Sequence, residues 1–315
     1  MKLILAFFKL VRTLNLLYIV ITQFLFQYCI VVPAFRQYGL VPRLNSSYFL
    51  LLVLASVCIA AAGYVINDYF DLNIDRVNKP QKLVVEKMIS RRSAILWHLC
   101  LSVVGVLLSF YVGWQINNIL VGFANITCVI LLWFYSTTFK KKLLIGNVII
   151  SLLTAWVVLV LYFIEIPRLP FLPIEQDVLK VLNRIFRLSI LYGGFAFIIS
   201  LIREVIKDIE DMAGDARYGC RTMPIKWGVN STKVFIATWL IVIISVLVII
   251  QLYVFPFRWY WLMLYCILLI ILPLLYVFRK LFKARSPSDF HKLSNMVKLT
   301  MATGIISMIF FKLYL

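Results

Sequence analysis

The sequence predicts an all-α, polytopic membrane protein with about nine transmembrane helices. Of its 315 residues, 63% are hydrophobic and only 14% are charged, and the mean hydropathy is +0.97. A soluble domain of this size usually carries about a quarter of its residues as charged ones. The composition therefore excludes a soluble enzyme, a disordered scaffold and a collagen-like fibre.

Apolar stretches long enough to cross about 30 Å of hydrocarbon define the predicted spans. An amphipathic segment around Lys9 and Arg12 leads into the first of them. We expect all the spans to form a single integral membrane domain over residues 1–315. The nine spans are residues 17–35, 48–66, 94–114, 118–135, 146–166, 185–206, 233–254, 259–278 and 297–314.

Basic residues predict the orientation of these spans. With the N-terminus inside, 24 of the 32 Lys and Arg residues lie in the segments on the inner side. Because cytoplasmic loops carry an excess of Lys and Arg, this bias predicts a cytoplasmic N-terminus, and the odd number of spans predicts a C-terminus on the opposite side. The short loops fit a prokaryotic plasma membrane, with an organelle membrane as the alternative. The net charge of +19 does not indicate nucleic-acid binding, because no soluble domain is expected to carry a basic face.

Acidic residues are concentrated in two places. Nine of the 13 Asp and Glu residues follow the second and the sixth span, both on the predicted cytoplasmic side. Acidic side chains contribute little to membrane orientation, and like charges three or four residues apart destabilise a helix. A solvated helix end with paired acids explains one such cluster better than two. We therefore expect the two clusters to serve a function.

Each cluster places three oxygen ligands on one face of a helix, with spacings i, i+4, i+8 in the first and i, i+3, i+7 in the second. Hard oxygen ligands suit Mg²⁺, which commonly joins one or two carboxylates to phosphate oxygens, whereas a soft metal would need Cys or His. The predicted ligands are Asn67, Asp71 and Asp75 in the first cluster, and Asp208, Asp211 and Asp215 in the second.

The same residues carry a family resemblance. The pattern N-D-x-x-D-x-x-x-D at residues 67–75, here the first motif, resembles the first aspartate-rich motif of the UbiA superfamily of intramembrane prenyltransferases. The pattern R-E-x-x-K-D-x-x-D-x-x-x-D at residues 203–215, here the second motif, resembles that family's second motif, and residues 219–228 resemble the sequence that follows it. The K-D-x-E-D-x-x-G-D form is most similar to the branch that makes digeranylgeranylglyceryl phosphate, an ether-lipid precursor.

The resemblance implies nine helices around a central cavity and a Mg²⁺-dependent transferase of lipid biosynthesis. The enzyme would transfer a prenyl group, geranylgeranyl in that branch, from its diphosphate to a lipophilic acceptor. The expected acceptor is geranylgeranylglyceryl phosphate, which would become an ether lipid in the membrane. An aromatic quinone precursor of the hydroxybenzoate or naphthoate type would use the same metal site, so it remains an alternative acceptor.

The resemblance also implies roles for individual residues. Asn67, Asp71 and Asp75 would hold one Mg²⁺ and Asp211 and Asp215 another, with Asp208 binding directly or through water. The family often has an Arg near the position of Lys82, and a lysine cannot form the two parallel hydrogen bonds that an arginine can. The catalytic residues would be Asp71, Asp75, Asp211, Asp215 and Lys207; the diphosphate-binding residues Lys207, Lys140, Lys82 and Arg221; and the acceptor-binding residues Asn15 and Asp68.

A cation-coupled transporter is the alternative from a different functional class, since ionisable residues within membrane spans often mark ion pathways. Against it, the acids cluster at one face of the membrane, and the last three predicted spans have no charged residue near their middle. The enzyme is therefore the favoured interpretation.

Overall fold

The computed structural model describes residues 2–78, 84–167 and 175–314. Within these ranges, nine helical segments are long and apolar enough to cross a membrane, which confirms the predicted fold class. Leu107, Ile249 and Leu252 are 62–70% exposed on these segments, as suits side chains that face lipid. The nine segments are Thr13–Arg36, Ser46–Asn78, Arg91–Gln115, Leu120–Thr137, Ile145–Glu165, Gln176–Glu210, Met223–Phe257, Tyr260–Leu281 and Pro287–Tyr314.

Helices account for the regular structure of these segments because hydrocarbon offers no partner for a backbone amide or carbonyl. Two short π-helical turns, at Gln27–Val31 and Ile267–Ile271, interrupt the first and the eighth segment. The α-helices are α1 (Lys2–Leu10), α2 (Thr13–Phe26), α3 (Val32–Arg36), α4 (Ser46–Asn78), α5 (Arg91–Gln115), α6 (Leu120–Thr137), α7 (Ile145–Glu165), α8 (Gln176–Glu210), α9 (Met212–Arg217), α10 (Met223–Val254), α11 (Tyr260–Cys266), α12 (Leu272–Leu281), α13 (Pro287–Ile306) and α14 (Ile309–Tyr314).

The chain forms two compact units, and the first comprises Met1–Phe139 and Trp156–Leu191. One core of this unit joins Leu10 of α1 to Val65 and Leu72 of α4. Helix α5 approaches α4 closely at Gly105, where an added Cβ would lie 3.0 Å from the carbonyl oxygen of Ala55. Small residues at such crossings are typical of helix packing in membranes.

The second unit comprises Lys140–Ala155 and Tyr192–Leu315. Its core is built by α8, α10, α12 and α13, and it includes the fully buried side chains of Val205, Leu240, Leu274, Val277 and Val297. Apolar packing on this scale holds the C-terminal half of α8 in place, and that half carries the first part of the second motif.

Two details differ from the predicted spans. Helix α4 runs 12 residues past the predicted end of the second span, to Asn78, whereas α8 begins nine residues before the predicted sixth span, at Gln176, and ends four residues after it, at Glu210. The amphipathic lead-in is a separate helix, because Arg12 adopts a left-handed conformation that ends α1 before α2 begins. The apolar windows used for prediction measure only the part of a helix inside hydrocarbon, so they miss polar extensions.

A polar cluster closes the first unit at the C-terminal end of α7. The carboxylate of Glu165 is fully buried and accepts hydrogen bonds from the backbone amides of Arg43 at 2.8 Å and Leu44 at 3.2 Å. The Arg43 guanidinium in turn donates to the carbonyl oxygens of Ile166 at 2.9 Å and Ile116 at 2.7 Å. These bonds join the loop before α4 to the ends of α5 and α7.

We expect Glu165→Ala to destabilise the protein, because two backbone amides would lose their acceptor. Each buried donor left without a partner costs about 1–3 kcal/mol. Glu165→Gln keeps one carbonyl oxygen and should lose less. Thermal unfolding of the detergent-solubilised protein measures the effect, with Glu175→Ala, at an exposed glutamate, as the control. An unfolding temperature of Glu165→Ala equal to that of the control would contradict the assigned role.

Candidate active site

The first motif lies on the last turns of α4, which continues without a break through all of its residues. The side-chain amide of Asn67 donates to Asp71 Oδ2 at 2.7 Å, as expected for residues four apart on one helical face. Asn67, Asp71 and Asp75 are half-buried, while Leu72 on the other side of the helix is buried in the core of the first unit. The predicted helical stripe is therefore confirmed.

Asp68 lies one residue off this stripe and pairs with a basic residue from another helix. Arg12 Nη2 donates to Asp68 Oδ1 at 2.6 Å, and the guanidinium also lies 5.1 Å from the ring centroid of Tyr64, one turn earlier on α4. Such a cation–π contact adds to the attraction of the carboxylate. The pair links the start of α2 to the first motif.

Arg12 holds this position with a strained backbone. Its φ of 54° and ψ of 57° are left-handed, a conformation that costs an L-residue roughly 1–2 kcal/mol. Burial opposes the charge of its guanidinium, but the electrostatic interactions with Asp68, Tyr64 and Asp71 and the hydrogen bond to Asp68 outweigh it and raise the pKa of Arg12 above its ordinary value. Arg12 is therefore a permanent cation beside the first motif.

The loop after the first motif is tied together by one carboxylate. Glu86 forms ion pairs with Arg76 at the end of α4 and, at 3.1 Å, with Arg91 at the start of α5. Its own φ is positive, at 67°, and the Arg91 guanidinium lies 5.6 Å from the ring centroid of Tyr69. Lys82, a predicted diphosphate ligand, lies outside the described residues.

The second motif is not one continuous helix. Helix α8 ends at Glu210, and Asp211, with φ −94° and ψ 4°, separates it from the short helix α9. Backbone hydrogen bonds cross this break, from the Asp211 amide to the Lys207 carbonyl at 2.9 Å and from the Asp215 amide to the Asp211 carbonyl at 3.2 Å. The predicted single helical face is therefore distorted at Asp211, although its i to i−4 bonding persists.

Asp208 is held by a residue that sequence reasoning missed. The side-chain amide of Asn147, buried in the first turn of α7, donates to Asp208 Oδ2 at 2.9 Å. Both residues belong to the second unit. One oxygen of Asp208 is thereby oriented by a side chain from another helix.

Glu210 anchors the end of α8. His291 Nδ1 on α13 lies 2.9 Å from Glu210 Oε1. Beside it, Arg203 pairs at 2.7 Å with Glu204, one turn before Asp208. His291 belongs to neither motif. The sequence offered no signal for this contact other than the position of His291 shortly before the ninth predicted span.

The segment after the second motif is shaped by a glycine. Gly219, just after α9, has a φ of 71°. The backbone amide of Gly219 donates to the carbonyl oxygen of Ala216 at 3.2 Å, and that of Cys220 donates to the carbonyl oxygen of Asp215 at 2.9 Å. These two bonds form a Schellman motif, which glycine favours at this position. The amide of Arg221 then donates to the carbonyl of Lys141 at 2.8 Å, next to the predicted ligand Lys140.

The predicted diphosphate-binding residues that the structure describes all belong to the second unit. Lys207 is half-buried in the last turn of α8, Lys140 is half-buried in the helical turn Phe139–Lys141, and the side chain of Arg221 is exposed. The second unit thus carries both the second motif and these three cations.

Asn15 and a group of aromatic residues belong to the first unit. Asn15 is half-buried on the first turn of α2, and its backbone amide donates to the backbone carbonyl of Arg12 at 2.7 Å. Phe70 lies between Tyr69, at 5.1 Å between ring centroids, and Trp133 of α6, at 5.9 Å. The His98 ring also contacts Trp133, with 5.4 Å between centroids and a tilt of 37°. An aromatic row thus extends from the first motif to α5 and α6.

The chemistry of the donor atoms fits Mg²⁺. The six predicted ligands supply carboxylate and amide oxygens and include neither Cys nor His. Among the residues that the structure describes, no group of three or more His, Cys, Asp or Glu side chains is close enough to hold a metal ion by itself. That is compatible with an ion that takes only one or two carboxylates from the protein and completes its shell with phosphate oxygens and water.

Three known proteins are similar to this chain over most of its length. The digeranylgeranylglyceryl phosphate synthase of Methanosphaera stadtmanae is 30% identical over 279 residues, which cover 87% of this chain and 92% of that protein. A solved structure of a digeranylgeranylglyceryl phosphate synthase in membranes superposes with a TM-score of 0.62 and 23% identity, covering 98% of this chain and 99% of the other. A UbiA homologue from Archaeoglobus fulgidus, bound to DMAPP and Mg²⁺, gives a TM-score of 0.57 and 16% identity over 96% and 98% of the two chains.

The family model described as the UbiA prenyltransferase family matches residues 25–301. This match includes both motifs, residues of both units and most of the nine apolar segments. Membership in a prenyltransferase family also favours an enzyme over a cation-coupled transporter. The chain therefore belongs to the UbiA prenyltransferase family and is an integral membrane enzyme.

Proposed function

We propose that this enzyme transfers a geranylgeranyl group from its diphosphate to the glycerol hydroxyl of geranylgeranylglyceryl phosphate and so forms an ether lipid. The observation that carries the proposal is the 30% identity to the Methanosphaera stadtmanae synthase over 92% of that protein's length. The K-D-x-E-D-x-x-G-D form of the second motif adds to it. In the reaction, the bond between the allylic carbon and the diphosphate breaks, the acceptor oxygen bonds to that carbon, and the hydroxyl proton is released.

The residues of both motifs would hold the diphosphate through Mg²⁺. When bound, Mg²⁺ neutralises the negative charge that develops on the departing diphosphate. Asn67, Asp71 and Asp75 would supply oxygens to one ion, and Asp211 and Asp215 to a second. Asp208 would contribute directly or through water, in the orientation that its bond from Asn147 favours.

Basic residues would bind the remaining diphosphate oxygens. Lys207 and Lys140 are half-buried in the second unit, so their ammonium groups would be partly desolvated and more strongly attracted to an anion. Arg221, tied through its backbone to Lys141, and Lys82 would add further donors. The allylic cation left after ionisation needs protection from water, and Phe70, Tyr69 and Trp133 offer aromatic faces beside the first motif.

Asn15 and Asp68 are the proposed acceptor-binding residues. Asn15 lies three residues after Arg12 at the start of α2, and Asp68 is joined to Arg12 by an ion pair of 2.6 Å. Both residues therefore belong to one local group beside the first motif. A hydroxyl of the acceptor can bond to an amide or a carboxylate of this group, while Asn67, Asp71 and Asp75 remain available to the metal ion that binds the diphosphate.

We expect Asp71→Ala and Asp211→Ala each to lower prenyl transfer by about 100-fold or more, the usual effect of removing a group that stabilises charge in the transition state. The purified protein is incubated with Mg²⁺, geranylgeranyl diphosphate and either geranylgeranylglyceryl phosphate or an aromatic acid, and the product is identified by mass spectrometry. Asp177→Ala is the matched control, because this exposed acid at the start of α8 pairs with Lys180 at 2.8 Å, outside both motifs.

Transfer to the glycerol hydroxyl that is lost in both motif variants and kept in Asp177→Ala would support the proposed reaction. Transfer to the aromatic acid alone would replace the acceptor and keep the metal chemistry. Transfer that continues at full rate in Asp71→Ala or without Mg²⁺ would contradict the proposed mechanism.

Asn147→Ala should raise the Mg²⁺ concentration needed for half-maximal transfer by about 10- to 100-fold, the usual effect of removing a residue that orients a metal ligand. The physical reason is that Asp208 would lose the amide that fixes one of its oxygens. Asn295→Ala, at an exposed asparagine on α13, serves as the control in the same Mg²⁺ titration. An unchanged Mg²⁺ dependence would show that the bond from Asn147 does not prepare Asp208 for the metal.

We further propose that residues 1–315 act as one catalytic domain in a prokaryotic plasma membrane, with the N-terminus and both motifs on the cytoplasmic side and the C-terminus opposite. The support is the placement of 24 of 32 Lys and Arg residues and a family match over residues 25–301. A reporter that is active only in the cytoplasm should therefore work when fused to the N-terminus and fail when fused to the C-terminus. Activity at both ends would contradict an odd number of spans.

A further inference from the structure

Arg12 has features that the proposed function leaves unexplained. Its left-handed backbone is costly for any residue except glycine, and the chain retains an arginine there. The neighbours Leu10 and Val11 on one side and Leu16 on the other are buried in the core of the first unit. The core thus fixes the backbone on both sides of Arg12, and this backbone position determines where the guanidinium lies. Residues kept in strained conformations cluster at functional sites.

The guanidinium contacts the first motif, but on a different side of α4 from the predicted metal ligands Asn67, Asp71 and Asp75. It pairs with Asp68 at 2.6 Å and lies over the ring of Tyr64 at 5.1 Å. Adjacent residues on a helix are rotated by about 100° around its axis. Asp68 therefore faces a different side of α4 from Asn67, which shares its face with Asp71.

Arg12 differs from Arg76 and Arg91, which also lie near the first motif, in the acid that it contacts. Arg76 and Arg91 both contact Glu86 and so hold the loop after α4. Arg12 contacts a motif residue itself, and its side chain is still 37% exposed. A guanidinium carries five N–H donors in a planar fork, and a phosphate accepts two of them side by side. An anion that arrives from the exposed side can therefore bind without displacing Asp68.

The proposed reaction brings two anions to one enzyme. The diphosphate is assigned to the metal ligands and to the cations Lys207, Lys140, Lys82 and Arg221. The acceptor carries a phosphate monoester of its own, and the residues proposed to bind the acceptor, Asn15 and Asp68, supply no positive charge. A cation is required beside them, and Arg12 supplies one: its side chain pairs with Asp68, and its backbone carbonyl accepts a hydrogen bond from the backbone amide of Asn15, three residues later.

We infer that Arg12 binds the phosphate group of the acceptor and thereby selects a phosphorylated glycerol lipid over the corresponding neutral alcohol. The inference rests on the proposed function. Asp68 holds the guanidinium in place before the acceptor binds, and an arginine serves better than a lysine because its fork matches two phosphate oxygens at once.

The test compares two acceptors that differ only in this phosphate, geranylgeranylglyceryl phosphate and geranylgeranylglycerol, at saturating geranylgeranyl diphosphate and Mg²⁺. Arg12→Gln should lower kcat/KM for the phosphorylated acceptor by about 10- to 100-fold, as expected for the loss of charged hydrogen bonds. It should leave kcat/KM for the neutral alcohol and the KM for geranylgeranyl diphosphate within about twofold of the unmodified enzyme. Arg12→Lys should give an intermediate loss.

Two further variants separate phosphate binding from other roles of this position. Arg12→Gly relieves the backbone strain, because glycine accepts a φ of 54° freely, so a purely structural role predicts an active variant and the inferred role predicts the same selective loss as Arg12→Gln. Lys9→Gln removes an exposed cation of α1 and should leave the preference for the phosphorylated acceptor unchanged.

Equal losses on both acceptors would overturn the inference and assign Arg12 a structural role. A raised KM for geranylgeranyl diphosphate would overturn it in favour of donor binding. An unmodified enzyme that uses both glycerol acceptors equally well would overturn the inference alone, whereas one that uses neither would overturn the proposed function as well.

Discussion

The exclusion of charge from hydrocarbon governs the arrangement of this enzyme. A helix needs about 20 residues to cross the membrane, whereas α4 has 33 and α8 has 35. The last turns of α4 are polar and carry the first motif, whereas the last turns of α8 carry the first part of the second motif, which continues through Asp211 into α9. A charged active site thus becomes compatible with a membrane fold, because the same helix that packs in lipid extends beyond it and presents carboxylates at its end.

The helix ends that carry the motifs are packed on one side, through Leu72 of α4 and Ile209 of α8, and one polar bond in each unit adds a further restraint on their rotation. In the first unit, Arg12 reaches across from the start of α2 to Asp68, and in the second unit Asn147 reaches from α7 to Asp208. Each bond joins one acid of a motif to a neighbouring helix. In the first motif, Asp71 and Asp75 share α4 with Asp68, so the rotation of that helix also fixes their direction. In the second motif, Asp211 and Asp215 lie beyond α8 and are joined to it by the backbone hydrogen bonds that cross the break.

Sequence reasoning predicted the nine spans and the continuous stripe of Asn67, Asp71 and Asp75, because both depend on regular periods along the chain. It did not predict the bonds Arg12–Asp68 and Asn147–Asp208, whose partners are 56 and 61 residues apart. It also missed the break at Asp211, since the i to i−4 spacing of its neighbours is that of an intact helix. Contacts of this kind depend on packing between helices, which a periodic pattern does not encode.

The two bonds differ in the charge of the donor, and this difference matches the proposed partners: a metal ion at Asp208 and an anionic acceptor beside Asp68. Asn147 is a neutral donor, so it orients Asp208 without cancelling its charge, and the carboxylate remains attractive to a metal ion. Arg12 is a cation, so it neutralises Asp68 and leaves an unattractive place for a second metal ion but a suitable one for an anion. An enzyme with two anionic substrates needs both kinds of position, and in each unit the charge of the residue that bonds to the motif decides which kind is formed.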